Sequence, residues 1–164
     1  PRSFMPHTQT MRDLVAKMKL LPNKAIIDGA SMVLLDDSIV RGTQPKANIV
    51  KLTDAGGRGV HIRIACPPLV YPCVFINFSA SRSKFDLITR RVIKELEGTE
   101  DTSAEILAEY ADPDSERYAR MVDGMRRVIG ADSLRFQRLD DLVKAIGIPK
   151  ERLCTHCWDN SSYF

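Results

Sequence analysis

The apolar run Met32 to Leu35 ends on two adjacent carboxylates, Asp36 and Asp37, and a short turn, Ser38 to Gly42, leads straight into a helical stretch. That order constrains the fold more than any other feature of the chain. An apolar run this short, bounded by Gly29 on one side and an acidic pair on the other, reads as a buried central strand. A helix is expected over Gln44 to Ala55, stopped by Gly56-Gly57. The β-branched run Val60 to Ala65 reads as a second strand. Strand, helix and strand at this spacing make a βαβ unit, which implies a parallel sheet.

The remaining segments extend this α/β reading. Residues 1–24 are polar and basic, and read as a loop leading into a short helix. Pro67-Pro68 and Pro72 break the chain into a loop, and Val74 to Phe78 is expected to be a third short strand. Phe85, Ile88, Val92 and Leu96 share one helical face. Residues 98–111 are acidic and polar, and read as a short surface helix or a mobile insert. Asp112-Pro113 has the form of a helix start. Tyr118, Met121, Val122, Met125, Val128 and Ile129 then recur at helical spacing up to Gly130. Ser133 to Phe136 reads as a small strand. Leu139, Leu142, Val143 and Ile146 read as a last helix stopped by Gly147 and Pro149. No internal repeat is visible.

Composition sets the class. The chain has 164 residues, 44% hydrophobic and 27% charged, the mix of a globular protein. A net charge of only +3, without a long Lys/Arg cluster, suits phosphorylated metabolites and argues against nucleic acid. No apolar run has the length to cross a membrane, and no leader precedes the first segment. The chain opens on Pro1 rather than Met, so it reads as a piece of a longer polypeptide or a processed product. The four cysteines, Cys66, Cys73, Cys154 and Cys157, are not needed as disulfides at this size, which points to a reducing, cytoplasmic setting.

The acidic turn has the parts of a sugar-phosphate site. Ligands of open α/β sheets bind at the C-terminal edge of the strands. N–H groups at a helix start carry partial positive charge and suit a phosphate. Gly42 permits close backbone approach, and the Ser38 and Thr43 hydroxyls add donors. Two carboxylates accept from ribose hydroxyls or hold Mg²⁺, directly or through water. An Asp-Asp pair alone is more often just a loop start and helix cap. The whole string Val33-Leu34-Leu35-Asp36-Asp37-Ser38-Ile39-Val40-Arg41-Gly42-Thr43 is far more specific.

That string resembles the phosphoribosyl-pyrophosphate loop of type I phosphoribosyltransferases, and in detail the glutamine phosphoribosylpyrophosphate amidotransferase (amidophosphoribosyltransferase) family. Arg2-Ser3-Phe4, Thr8 to Arg12 and Lys17-Met18-Lys19-Leu20 are similar to that family's flexible-loop segment. Val60 to Ile64, Pro67-Pro68 and Tyr71-Pro72-Cys73 resemble the segment after the next strand. Ile129 to Leu134 and the Cys154-Thr155-His156-Cys157 motif resemble its C-terminal region.

The resemblance implies a partial type I phosphoribosyltransferase-like domain, a parallel sheet flanked by helices. Residues 1–80 would form the second half of the core. Residues 81–164 would form a mostly helical C-terminal extension, with an acidic insert at 97–112 and the C-x-x-C tail. It implies Mg²⁺ and phosphoribosyl pyrophosphate as ligands. Ammonia, released from glutamine by an upstream glutaminase domain, would displace pyrophosphate and give 5-phosphoribosylamine, the first step of purine synthesis. By the same resemblance Asp36 and Asp37 bind the ribose hydroxyls and the metal. Ser38, Ile39, Val40, Arg41, Gly42 and Thr43 cradle the 5-phosphate. Lys19, and Lys17 where the family more often has Arg, lie near the pyrophosphate when the loop closes; without the resemblance both lysines read as a solvated face. Purine nucleotides would regulate a homo-oligomer.

Some members of the family hold a [4Fe–4S] cluster on four cysteines. Cys73, Cys154 and Cys157 occupy three matching positions, the fourth would lie upstream, and Cys66 is a possible substitute. A zinc site, a redox C-x-x-C and free buried thiols are the competing readings, and His156 reads as a ligand or an exposed polar residue.

The chain also departs from the family. Val74-Phe75-Ile76-Asn77 stands where Tyr-Gly-Ile-Asp is common, so an aspartate is replaced by asparagine. Gln44 and Pro45 replace a more common Thr/Ser pair. These changes and the acidic insert are features of a divergent branch, and leave open a base-salvage phosphoribosyltransferase or a non-catalytic, ligand-sensing paralogue. Without the glutaminase nucleophile and the pyrophosphate loop, this stretch alone is not expected to complete the reaction.

Overall fold

The computed structural model describes residues 21–73, 75 and 83–161. The segments 1–20, 76–82 and 162–164, with Val74, lie outside them. The expectations for Lys17, Lys19, Asn77 and most of the Val74 to Phe78 strand therefore fall outside the described residues.

A short helix α1 (Lys24–Ile27) leads into strand β1 (Ser31–Asp36), helix α2 (Thr43–Asp54) and strand β2 (Gly59–Ile64). A single 3-10 turn, Lys84–Asp86, opens helix α3 (Ile88–Glu97), followed by α4 (Ala104–Ala111) and α5 (Glu116–Ile129). Strand β3 (Ser133–Phe136), helix α6 (Leu139–Ile146), a 3-10 turn at Lys150–Arg152 and helix α7 (His156–Asp159) complete the order. Among the described residues no helix is long and apolar enough to cross a membrane.

The three strands form one parallel sheet in the order β1-β2-β3, with Asp36 opposite Ile64 and Ile64 opposite Phe136. The expected βαβ unit is present, and β3 joins it after the helical segment. Side-chain alternation sorts the sheet into two faces. Val60, Ile62, Ile64 and Leu134 point into a core shared with Ile49 and Leu52 of α2 and Met121, Met125 and Ile129 of α5. Along β2 and β3 the alternate positions His61, Arg63, Ser133 and Arg135 lie on the other face.

β1 was to be a buried central strand, yet Val33 is 60% and Leu35 80% exposed. Among the described residues β1 pairs only with β2, and helices cover one face of it. Met32 and Leu34, on that face, pack against the core.

The Ile129 to Leu134 motif explains how β3 docks. Gly130 takes a left-handed conformation and closes α5. Asp132 then grips both polar groups of one residue: its N–H donates to Val60 O at 2.9 Å, and its Oδ2 accepts from Val60 N at 2.7 Å. Ser133 Oγ bonds His61 Nδ1 at 2.9 Å and accepts from Arg63 Nη1 at 3.0 Å. Leu134 enters the core.

The insert is ordered helix. Ser103 caps α4, accepting from Ile106 N. Tyr110 is fully buried, and its hydroxyl donates to Glu97 Oε1 at 2.6 Å. Arg117 Nε reaches the same oxygen at 3.1 Å, and its Nη1 reaches Glu109 at 2.9 Å. One carboxylate thus ties α3, α4 and α5 together. These two bonds hold Glu97 below its ordinary carboxyl value, and burial with Glu97 pushes Tyr110 up to about 12.

Asp112-Pro113 does not start a helix. Asp112 closes α4, its N–H donating to Ala108 O and Glu109 O, while its carboxylate accepts from Asp114 N in a local turn. The cap of α5 is Ser115, which accepts from Tyr118 N at 3.0 Å. Phe85 also leaves its expected helical face: it sits in the 3-10 turn, with Lys84 Nζ and Lys94 Nζ over its ring at 5.3 and 5.2 Å.

Met125→Ala is expected to lower stability by roughly 2–5 kcal/mol in denaturant titration, because the site is fully buried and cannot collapse easily. Glu97→Gln should flatten the acid limb of the stability profile. The ionised Glu97 contribution is present above its unfolded value of 4.5 and is lost as pH falls through the lower folded value. Melting curves across that range for both proteins make the comparison; equal acid sensitivity would remove Glu97 from the account.

Candidate functional site

The register of the parallel sheet determines what stands at its C-terminal edge. β1 ends on Asp36, and Asp36 and Asp37 are both exposed there. The turn behind them is stiff. Asp36 Oδ1 accepts from Asp37 N at 3.0 Å, and Asp37 Oδ1 accepts from Ser38 N at 2.7 Å. Each carboxylate thus shapes the next step of the backbone and still presents its other oxygen. Partial burial raises Asp36 above its ordinary carboxyl value; the Asp37 N–H opposes this, and the Asp37 charge adds to it.

Ile39 pins the turn into the core at 2% exposure, and Gly42 is also buried. Gly42 has φ +77°, a left-handed conformation that suits glycine. A Cβ there would also meet Ile88 Cδ1 at 2.5 Å, so the close approach needs glycine twice over. Helix α2 begins immediately after it, and no side chain caps that start. Thr43 and Gln44 are exposed at its mouth. An uncapped helix start following a left-handed glycine leaves backbone donors available to an anion.

The turn is held from behind by α3. Ile88 N donates to Val40 O at 2.8 Å. Arg91 Nη2 donates to Arg41 O at 2.6 Å, and Arg91 Nη1 donates to Phe85 O at 3.2 Å. Arg41, whose side chain is exposed, faces Asp86 at 3.7 Å. Nothing in the sequence singled out Arg91, which is one arginine of an ordinary Arg-Arg pair inside a helix.

The C-terminal segment closes the opposite flank. Val70 N and Tyr71 N both donate to Cys157 O, at 2.9 and 3.1 Å, and His156 Nε2 lies 3.3 Å from Pro72 O. Thr89 Oγ1 donates to Leu69 O, so the Pro67 to Cys73 loop is clasped between α3 and the C-x-x-C segment. Thr155, 1% exposed, donates to Asp159 Oδ1 at 2.8 Å. Burial pushes the Cys66 thiol up to about 11; the Trp158 indole opposes this, and the Asp37 charge adds to it. Trp158 Nε1 is buried and approaches that sulfur without reaching hydrogen-bond geometry to any described residue.

The sites expected from sequence separate here. Asp36 to Thr43 form one continuous turn, with Asp36, Asp37, Arg41 and Thr43 at the surface and Ile39 and Gly42 buried. Cys73 is buried, Cys154 exposed and Cys157 between the two, and no disulfide joins any of the four. Among the described residues no three His, Cys, Asp or Glu side chains gather as a metal requires. The described cysteines by themselves make no iron–sulfur or zinc ligand set. The carboxylate pair is a different case: its hard oxygens suit Mg²⁺, which draws its remaining ligands from water and substrate oxygens.

No family model matches the chain. Curated relatives do. It is 35% identical over 158 residues to an amidophosphoribosyltransferase of Methanothermobacter thermautotrophicus, covering 96% of this chain and 27% of that protein. It is 34% identical over 159 residues to an amidophosphoribosyltransferase of Mycobacterium tuberculosis, covering 96% of this chain and 25% of that protein. The chain thus spans about a quarter of the length of these relatives. A glutamine phosphoribosylpyrophosphate amidotransferase from B. subtilis, solved with ADP and GMP, superposes with a TM-score of 0.61 at 26% identity, over 98% of this chain and 30% of that one. An allosteric regulatory enzyme of purine biosynthesis superposes equally, with a TM-score of 0.61 at 27% identity, over 98% of this chain and 29% of that one. By sequence and by fold, this chain is a relative of the amidophosphoribosyltransferases, matched to a C-terminal portion of them.

Proposed function

We propose that the full-length protein is an amidophosphoribosyltransferase, and that Asp36 to Thr43 bind the ribose and 5-phosphate of phosphoribosyl pyrophosphate. One observation carries the reading. An exposed carboxylate pair at the C-terminal edge of a parallel sheet runs, through a left-handed glycine, into an uncapped helix start, in a chain whose relatives carry that name. In this reading the Asp36 and Asp37 carboxylates accept from the two ribose hydroxyls and would hold Mg²⁺. When bound, Mg²⁺ neutralises charge on the departing pyrophosphate. The Ser38 and Thr43 hydroxyls and the backbone N–H groups of Ile39 to Gly42 receive the 5-phosphate. Held at both ends, the sugar presents its anomeric carbon to an incoming nucleophile, and positioning supplies most of what such a displacement requires.

Several finer elements belong to the same proposal. Lys19 and Lys17 close over the pyrophosphate, glutamine-derived ammonia is the nucleophile, and purine nucleotides regulate a homo-oligomer in the cytoplasm. Residues 1–80 supply the second half of the core, and residues 81–164 the helical part that backs the loop. The [4Fe–4S] cluster enters no step.

The test is pyrophosphate release by the full-length protein from phosphoribosyl pyrophosphate, with Mg²⁺ and either glutamine or ammonia. No release with either nucleophile would sink the enzyme; Mg²⁺-dependent binding without turnover would instead leave a ligand-sensing paralogue, which the Asn77 replacement leaves open. Asp36→Ala and Asp37→Ala are each expected to abolish Mg²⁺-dependent binding in calorimetry; undiminished affinity in both would mean the site lies elsewhere.

Stability and binding should move in opposite directions at Asp36. A folded-state value raised above the unfolded one favours folding below the unfolded value, and that advantage is gone once pH rises through the folded value. At neutral pH the ionised Asp36 carboxylate therefore works against the fold. Asp36→Asn should raise the Tm of the metal-free protein and lose the further rise that Mg²⁺ with phosphoribosyl pyrophosphate gives the wild type. A lowered metal-free Tm would contradict this.

A further inference from the structure

Peptide geometry allows one more step, which rests on the loop reading above. In a trans peptide the C=O and the following N–H point in opposite directions. Ile88 N–H draws the Val40 carbonyl toward the start of α3, so Arg41 N–H is turned away from that helix. Arg91 draws the next carbonyl, that of Arg41, to the same side at 2.6 Å, so Gly42 N–H is turned away as well. Two successive amides are thereby turned to the side opposite α3. The second ends at the left-handed Gly42, the backbone form of an anion-binding nest.

Arg91 is built to hold that orientation. Its other terminal nitrogen donates to Phe85 O at 3.2 Å and approaches Asp86 O at 3.5 Å, so one guanidinium spans the 3-10 turn and the phosphate loop. All of these partners are carbonyls. Arg91 forms no ion pair among the described residues, and its positive charge stays behind the loop without a neutralising carboxylate. Lysine has the charge but not the planar fork that reaches both sides.

We propose that Arg91 is the positioning residue of the 5-phosphate cradle: it fixes the Arg41–Gly42 peptide so that two amides face the phosphate, without touching the ligand itself.

The experiment uses full-length protein and two probes, ribose 5-phosphate and magnesium pyrophosphate, with affinities measured by calorimetry for wild type, Arg91→Ala, Arg91→Lys and Arg91→Gln. Losing a hydrogen bond of this charge-assisted class is expected to weaken ribose 5-phosphate binding by about tenfold or more in Arg91→Ala. Magnesium pyrophosphate, which has no 5-phosphate, should bind as it does to wild type. Arg91→Lys, which keeps the charge and one donor, should fall between the two, and it carries the comparison if Arg91→Ala does not fold. Unchanged ribose 5-phosphate affinity in the variants would overturn the inference while leaving the loop reading intact. Equal loss of both ligands would overturn it too, by reducing Arg91 to general stability. Wild-type protein that bound neither ligand would remove the loop reading, and this inference with it.

Discussion

The hydrogen bond from Ile88 N–H to Val40 O, at 2.8 Å, is the joint on which the rest of the arrangement depends. It ties a turn that leaves the sheet to a helix that begins forty-odd residues later in the chain. The joint is tight because Gly42 lets Ile88 approach where any Cβ would collide with it. Once made, it transmits order in both directions. α3 is held at its far end by Glu97, which accepts from Tyr110 and Arg117 and so fastens α4 and α5. α5 in turn supplies Met121, Met125 and Ile129 to the core beneath the sheet. The exposed acidic turn therefore stands on a closed circuit of packing rather than on a free loop.

The C-x-x-C segment gains a structural role from the same circuit. Its backbone, through Cys157 O, holds two successive N–H groups of the Val70–Tyr71 stretch, while Thr89 holds the preceding carbonyl from the other side. Thr155, buried between the two cysteines, ties the segment to the end of α7 by donating to Asp159. The Cys157 carbonyl and the Thr89 hydroxyl both contribute to this dock. That accounts for a conformation of the motif that gathers no three metal-ligating side chains among the described residues.

Much of the fold was legible in the chain. The strand–helix–strand unit, the long helix up to Gly130 and the small strand at Ser133 are all set by local periodicity and by glycine stops. The Asp36 to Thr43 turn was legible for a different reason: its residue types carry the chemistry directly. What misled was competition between local signals and context. Asp112-Pro113 has good helix-start chemistry, but the Ser115 hydroxyl and the acidic first turn at Glu116 won the cap. Tyr110 looked like part of a polar surface insert, because nothing nearby in sequence reveals that Glu97 and Arg117 wait for its hydroxyl. Val33 and Leu35 looked buried because apolarity reports a need for cover without saying what provides it.

By itself, then, the sequence determined the strand-to-helix turn and its carboxylates, since both follow from neighbouring residues and from the steric freedom of one glycine. Only the tertiary structure decided which way the peptides of that turn face. Their carbonyls are captured by Ile88 and Arg91, partners distant in the chain, and a peptide's orientation has no signature in residues that can adopt either one.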